Sequence, residues 1–205
     1  QTRNARGPAG RSMSAQPATA LDFDFSGTMT NHNDKLLFTF TTGGLGTVTL
    51  FSSSWDDGGF DPMLGLWTNA GNFVQFQDDG NNTGSIFSNG IEYTHGIFDT
   101  LFSQTLTAGT YTVSLTAFPN FPLCDPSCTN SSLLSDGFVF DGQTPISIAT
   151  WDQPSNGFRS PDFSFHIIGV EGATGPGPSV PEPSTMLLLG SALVGLAAWR
   201  RKHAA

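Results

Sequence analysis

Basic side chains are almost missing from the body of this 205-residue chain. Between Leu21 and Gly172 there are two, Lys35 and Arg159, against sixteen Asp and Glu, a formal charge of −14. A nucleic-acid binder needs a basic footprint to displace counterions from phosphate, so no nucleic-acid partner is expected. Divalent cations and basic surfaces are the electrostatically sensible partners. A solvated acidic surface that keeps the chain soluble accounts for the same charge. Charged residues of both signs make up 12% of the chain, about half the ~25% usual in soluble proteins.

Cysteine is confined to Cys124 and Cys128, in Cys-Asp-Pro-Ser-Cys. Zinc would need two further ligands, and the four His are scattered. A thioredoxin-type site needs two intervening residues and a following helix, and neither is present. In an oxidising compartment a pair this close reads as a small structural disulfide loop in preference to two free thiols. Signatures of catalysis are missing too. There is no Gly-x-Ser-x-Gly elbow, no His-Glu-x-x-His and no Cys with a local His. His32 and His95 fall in polar loops, His166 on the solvent face of a strand and His203 near the end, each an ordinary surface His. Glu92 and Asp99 are formally available as a glycosidase pair, but so are any two carboxylates. Trp55, Trp67 and Trp151, with the many Phe, suit a sandwich core better than a carbohydrate platform. No enzyme is expected.

What is abundant is turn formers and Phe: 24 Gly, 13 Pro and 18 Phe. Apolar residues recur with period two. Leu36, Phe38 and Phe40 share a face, as do Val48 and Leu50, Leu64 and Leu66, Val74 and Phe76, Tyr111, Val113 and Leu115, and Phe163, Phe165 and Ile167. Each run is short and bounded by Gly, Asn, Asp or Pro, as half-buried antiparallel strands require. Asn69-Ala70-Gly71-Asn72 predicts a hairpin between strands Leu64–Thr68 and Phe73–Gln77. Eight or so strands at such spacing predict an all-β fold, an antiparallel β-sandwich over residues 21–172. Residues 1–20 are polar and rich in Gly, Pro, Ser and Ala, and read as a disordered arm or the remnant of an export signal. Residues 173–180 read as a Gly/Pro linker.

The acidic loop Asp78-Asp79-Gly80-Asn81-Asn82 admits two readings. Calcium takes six to eight oxygens, and Asp78, Asp79, Asn81 and Asn82 offer several from one loop. Asp56, Asp57 and Asp61 approach from the preceding loop if the two strands pair as predicted. It is not an EF-hand, because no Glu stands at the twelfth position. The other reading is an Asx-rich turn whose side chains bond their own backbone.

The last 26 residues form a tripartite tail: Val180-Pro181-Glu182-Pro183-Ser184-Thr185, an uncharged run Met186–Trp199, then Arg200-Arg201-Lys202. The prolines hold the entry extended, and Pro183, Ser184 and Thr185 suit a helix start. The run is apolar all round, which predicts a single C-terminal hydrophobic helix crossing a membrane over about 184–199, with the basic cluster on the cytoplasmic side. A buried C-terminal core helix is the weaker alternative. This layout resembles the PEP-CTERM sorting signal of Gram-negative bacteria. The resemblance implies export across the inner membrane, temporary anchoring there, and recognition of Val180, Pro181, Glu182 and Pro183 by an exosortase, with Arg200, Arg201 and Lys202 setting orientation. The destination it implies is the cell surface or an extracellular polysaccharide matrix.

A second resemblance runs over roughly residues 55–170. Gly59-Phe60-Asp61-Pro62-Met63-Leu64-Gly65-Leu66-Trp67, then Asn69-Ala70-Gly71-Asn72, Gln77-Asp78-Asp79-Gly80, Leu106-Thr107-Ala108-Gly109-Thr110-Tyr111-Thr112-Val113 and Asp136-Gly137-Phe138 are similar in order to bacterial pre-peptidase C-terminal-like domains. That resemblance implies a jelly-roll-like sandwich without catalysis, some of whose relatives bind calcium or attach to matrix polymers. Gln77 stands where that family often has Asn, and the loop Phe121–Leu134 with its cysteines has no counterpart. The expected function is a non-enzymatic surface or matrix protein. The alternatives are a calcium-dependent adhesion or carbohydrate-binding module, and a secreted polysaccharide hydrolase.

Overall fold

A computed structural model describes residues 20–80, 82–123, 132–155 and 157–176. These form eleven strands: β1 (Leu21–Thr28), β2 (Leu36–Thr42), β3 (Gly46–Ser52), β4 (Pro62–Thr68), β5 (Phe73–Gln77), β6 (Gly84–Ser88), β7 (Ile91–His95), β8 (Leu101–Leu106), β9 (Gly109–Ala117), β10 (Asp162–Val170) and β11 (Gly172–Thr174). The only helical elements among the described residues are two single turns, Leu134–Asp136 and Ile148–Thr150. The apolar tail helix and the Cys124–Cys128 loop lie outside the described residues.

The strands make a four-stranded sheet in the order β1-β10-β3-β8, a five-stranded sheet in the order β11-β2-β9-β4-β5, and a separate β6-β7 hairpin. The ladders between these strands are all antiparallel. The two large sheets pack face to face on the side chains that the period-two pattern selects. Phe25, Val48, Leu50, Phe165 and Ile167 from one sheet meet Phe38, Phe40, Leu64, Leu66, Val113 and Leu115 from the other. Rings cross the interface directly, with Phe25–Phe38 centroids 5.0 Å apart and Phe38–Phe165 4.8 Å. A buried Phe contributes roughly 1.5–3 kcal/mol over an exposed one, so this aromatic seam is a major part of what holds the sheets together.

Two strands depart from the half-buried expectation. β4 is buried on both faces from Pro62 to Trp67, and so is β9 from Val113 to Ala117. Their outward side chains are covered as well. Trp67 donates its indole N–H to Ser114 Oγ at 3.1 Å and packs edge-on against Phe73.

The predicted β4–β5 hairpin is present. Its turn closes with Gly71 N donating to the Thr68 carbonyl at 2.8 Å and Thr68 N to that of Asn72 at 2.9 Å. A hairpin not anticipated from the sequence joins β6 and β7 through Asn89-Gly90. Both residues have positive φ, 49° and 79°, as a tight two-residue turn with the right twist demands. The Asn-Gly dipeptide is the sequence signal that marks it.

Candidate functional site

The β4–β5 register decides where the acidic residues meet. Leu64 pairs with Gln77, so the start of β4 and the end of β5 lie at the same end of the sandwich. Asp61 precedes β4 and Asp78-Asp79 follow β5. One carboxylate oxygen from each of Asp61, Asp78 and Asp79 lies within 4.8 Å of the others. Asn81 lies outside the described residues, and Asn82 is exposed. Asp56 and Asp57 are exposed and do not join the cluster.

Several anchors hold these loops. The Thr100 hydroxyl, at the head of β8, is shared between the carbonyls of Pro62, at 2.7 Å, and Asp78. Gln77 reaches forward to donate its amide to the Asp79 carbonyl at 2.5 Å. Gly80 N donates to the Asp99 carbonyl at 2.7 Å, and a Cβ on Gly80 would sit 2.8 Å from that same oxygen. Only glycine allows the acidic loop to lie this close to the neighbouring backbone. On the other side, Phe118 N donates to the Asp61 carbonyl at 2.9 Å.

Asp61 is 2% exposed. Its Oδ2 accepts from the Ser155 hydroxyl, and its Oδ1 has no hydrogen-bond partner. Burial pushes its carboxyl up to about 7; the Ser155 bond works against this, while the nearby charges of Asp78, Asp79 and Asp99 add to it. Burial raises Asp79 as well. Such an arrangement favours whatever brings positive charge to the cluster, a proton or a cation.

Asp99 has a different task. It is fully buried, and both its oxygens are spent: Oδ1 accepts from Ser52 Oγ at 2.9 Å and Trp55 N at 3.0 Å, Oδ2 from Asp56 N at 3.1 Å and Gly96 N at 2.9 Å. Burial raises its carboxyl against the pull of these four donors. It ties the loop after β3 to the loop after β7. Glu92 stands on an exposed position of β7 and hydrogen-bonds Ser85 at 2.5 Å. With one carboxyl sealed and the other on the surface, the two do not face a common substrate as a glycosidase pair must.

The histidines depart from expectation. His32, His95 and His166 are 3%, 4% and 1% exposed. His32 accepts from Ile146 N at 3.2 Å and packs against Phe140 and Trp151. His166 does point away from the sandwich core, as its strand alternation predicts, but the β6–β7 hairpin covers it. Tyr93 lies 4.0 Å from its ring and Phe51 4.3 Å. Its Nδ1 is 2.7 Å from Asp24 Oδ1, and its Nε2 is 3.2 Å from Ser53 Oγ and 3.1 Å from Ser164 Oγ. The order Ser53–His166–Asp24 has the contacts of a nucleophile, base and orienting acid. Ser53 is 1% exposed, however, so its hydroxyl is closed to a substrate carbonyl. A cavity of about 300 Å³ opens elsewhere, between the 42–46 and 169–171 turns, at the end of the sandwich opposite Asp61.

Of the tryptophans, Trp67 is buried, while Trp55 is half-buried between Phe98, with centroids 4.6 Å apart, and the Arg159 guanidinium, 3.7 Å over its ring. Arg159 also donates to the Gly59 carbonyl at 2.5 Å and to that of Trp55. The ring of Trp55 is thus already engaged, which makes it a poor sugar platform.

Comparison with known proteins adds one finding. Residues 179–202 match the PEP-CTERM protein-sorting motif. No curated protein matches the chain. The motif implies an exported protein of a Gram-negative bacterium, with a membrane-anchored C-terminal signal that an exosortase processes.

Proposed function

We propose that the chain is a non-enzymatic surface or extracellular-matrix protein, whose β-sandwich is delivered outside the inner membrane by the tail and released there by exosortase. The observation that carries this reading is the sorting motif at residues 179–202. Within it, Val180, Pro181, Glu182 and Pro183 are the recognition element, and Arg200, Arg201 and Lys202 hold the cytoplasmic side. The sandwich is taken as a binding or spacing module of the pre-peptidase C-terminal-like type, with extracellular polysaccharide as its partner class. The closure of Ser53 and Asp99 from solvent favours this over hydrolysis by either group.

The test is the intact mass of protein recovered from the surface of an exosortase-positive host. The mature form is expected to lack Met186–Ala205, and an exosortase-deficient host is expected to retain them. Retention of the full tail in the surface form of the competent host overturns the reading.

A further inference from the structure

We propose that Asp61, Asp78 and Asp79 form a binding site for a hard divalent cation, calcium in preference to magnesium. The proposal concerns the sandwich alone and does not depend on how the tail is processed.

Three observations converge. The first is geometric: carboxylate oxygens from two separate loops come within 4.8 Å of one another, brought there by the β4–β5 register. The second is a buried acceptor with nothing to accept. Asp61 is 2% exposed, Oδ2 takes the Ser155 hydroxyl, and Oδ1 has no partner. A buried carboxylate oxygen without a donor is costly, and a cation removes that cost. The third is that neither described basic side chain of the body donates to Asp61 Oδ1. Lys35 is engaged by Asp141 at 2.5 Å, and Arg159, whose charge is felt by Asp61 through space, gives its hydrogen bonds to the Gly59 and Trp55 carbonyls.

The donor set selects the ion. The three carboxylates offer oxygen, and among the described residues no His or Cys belongs to the cluster, so a hard cation is favoured over zinc or copper. The oxygens come from two separate loops, with Ser155 bonded to Asp61 beside them. Calcium accepts several carboxylates in a flexible, irregular shell, whereas magnesium demands near-ideal octahedra, holds its waters and usually takes only one or two carboxylates. An ion here would join the open end of the β4–β5 hairpin to the loop that carries Ser155. Its role would be to lock that end of the sandwich outside the cell.

The experiment is a thermal melt of the full chain near neutral pH, first with chelator and then with calcium at about 1–5 mM, above the ~0.1–1 mM dissociation constants typical of extracellular calcium modules. A melting temperature raised by several degrees, reversed by excess chelator and raised less by equal magnesium, is expected, because a ligand that binds only the folded state stabilises it. Asp61→Asn is expected to keep a cooperative melt in chelator and to lose the calcium response. If that variant does not fold, Asp79→Asn, at a less buried position, supplies the same readout. An unchanged melt of the native chain overturns the proposal and leaves a cluster that holds only a proton. A calcium response that survives both substitutions overturns it by placing the ion elsewhere. An equal response to magnesium overturns the choice of calcium.

Discussion

Asp24 and His166 are direct partners across the β1–β10 ladder, and their side chains meet 2.7 Å apart on the outer face of the four-stranded sheet. Asn89 of the β6–β7 turn donates to the same carboxylate at 2.9 Å and to the Asp22 carbonyl at 3.1 Å. Asp24 is therefore the point at which the hairpin is fastened to the sandwich, with His166 enclosed beneath Tyr93.

Burial raises the Asp24 carboxyl, but hydrogen bonds led by that from His166 outweigh it and hold the group below its ordinary 3.8. A carboxyl depressed on folding stabilises the native state above its unfolded pKa, and that contribution is lost as pH falls through the folded value. Native stability is expected to fall as pH drops below the ordinary carboxylate value, and Asp24→Asn is expected to flatten that part of the curve. At neutral pH the same substitution should cost about 1.5–3 kcal/mol, the usual range for a hydrogen bond to a charged group. Urea melts across the acid range check both. A variant with the native pH profile would contradict the assignment.

Asp99→Ala leaves the Ser52 hydroxyl and the amides of Trp55, Asp56 and Gly96 without their acceptor. The expected loss is at least about 2 kcal/mol, since each buried donor left unmade costs on the order of 1 kcal/mol or more. Denaturant unfolding measures it. A loss within about 0.5 kcal/mol, the size of an ordinary surface change, would show that water replaces the carboxylate and that Asp99 is not the anchor.

Gly90 sits at φ 79° with open space around its Cβ position, so Gly90→Ala tests backbone conformation without a clash. The expected cost is about 1 kcal/mol, concentrated in the β6–β7 hairpin. Hydrogen exchange should quicken at β6 and β7 and leave β2, β4 and β9 unchanged. Uniform quickening across both large sheets would mean that the hairpin is not a separate unit.

Cys124 and Cys128 lie outside the described residues, and the pairing expected of them rests on sequence proximity and an oxidising destination. Non-reducing peptide mapping is expected to recover them linked. Efficient thiol labelling of the native protein would rule the bond out.

How much could be read in advance depends on the range over which each feature is encoded. Phe163, Phe165 and Ile167 announce a core-facing strand because side chains alternate across a sheet, a rule that operates within five residues. Asn69–Asn72 announces its hairpin by the same local logic, and Asn89-Gly90 carries an equally local signal. The tail is local too: the prolines, apolar run and basic cluster follow one another along the chain, and residues 179–202 match a protein-sorting motif.

The burial of His166 was not local. Alternation assigns it to the outer face of β10 but is silent on whether another element covers that face, and the β6–β7 hairpin does so from about 70 residues away. The acidic residues follow the same division. The sequence by itself determined that the body would be acidic, strand-rich and tagged for export, because composition, period and a contiguous motif are properties of neighbours along the chain. Only the tertiary structure decided that Asp61 would join Asp78 and Asp79 while Asp56, Asp57 and Asp99 would not. That choice follows from the pairing of Leu64 with Gln77, and a slip of one residue in this register would send alternate side chains to the opposite face.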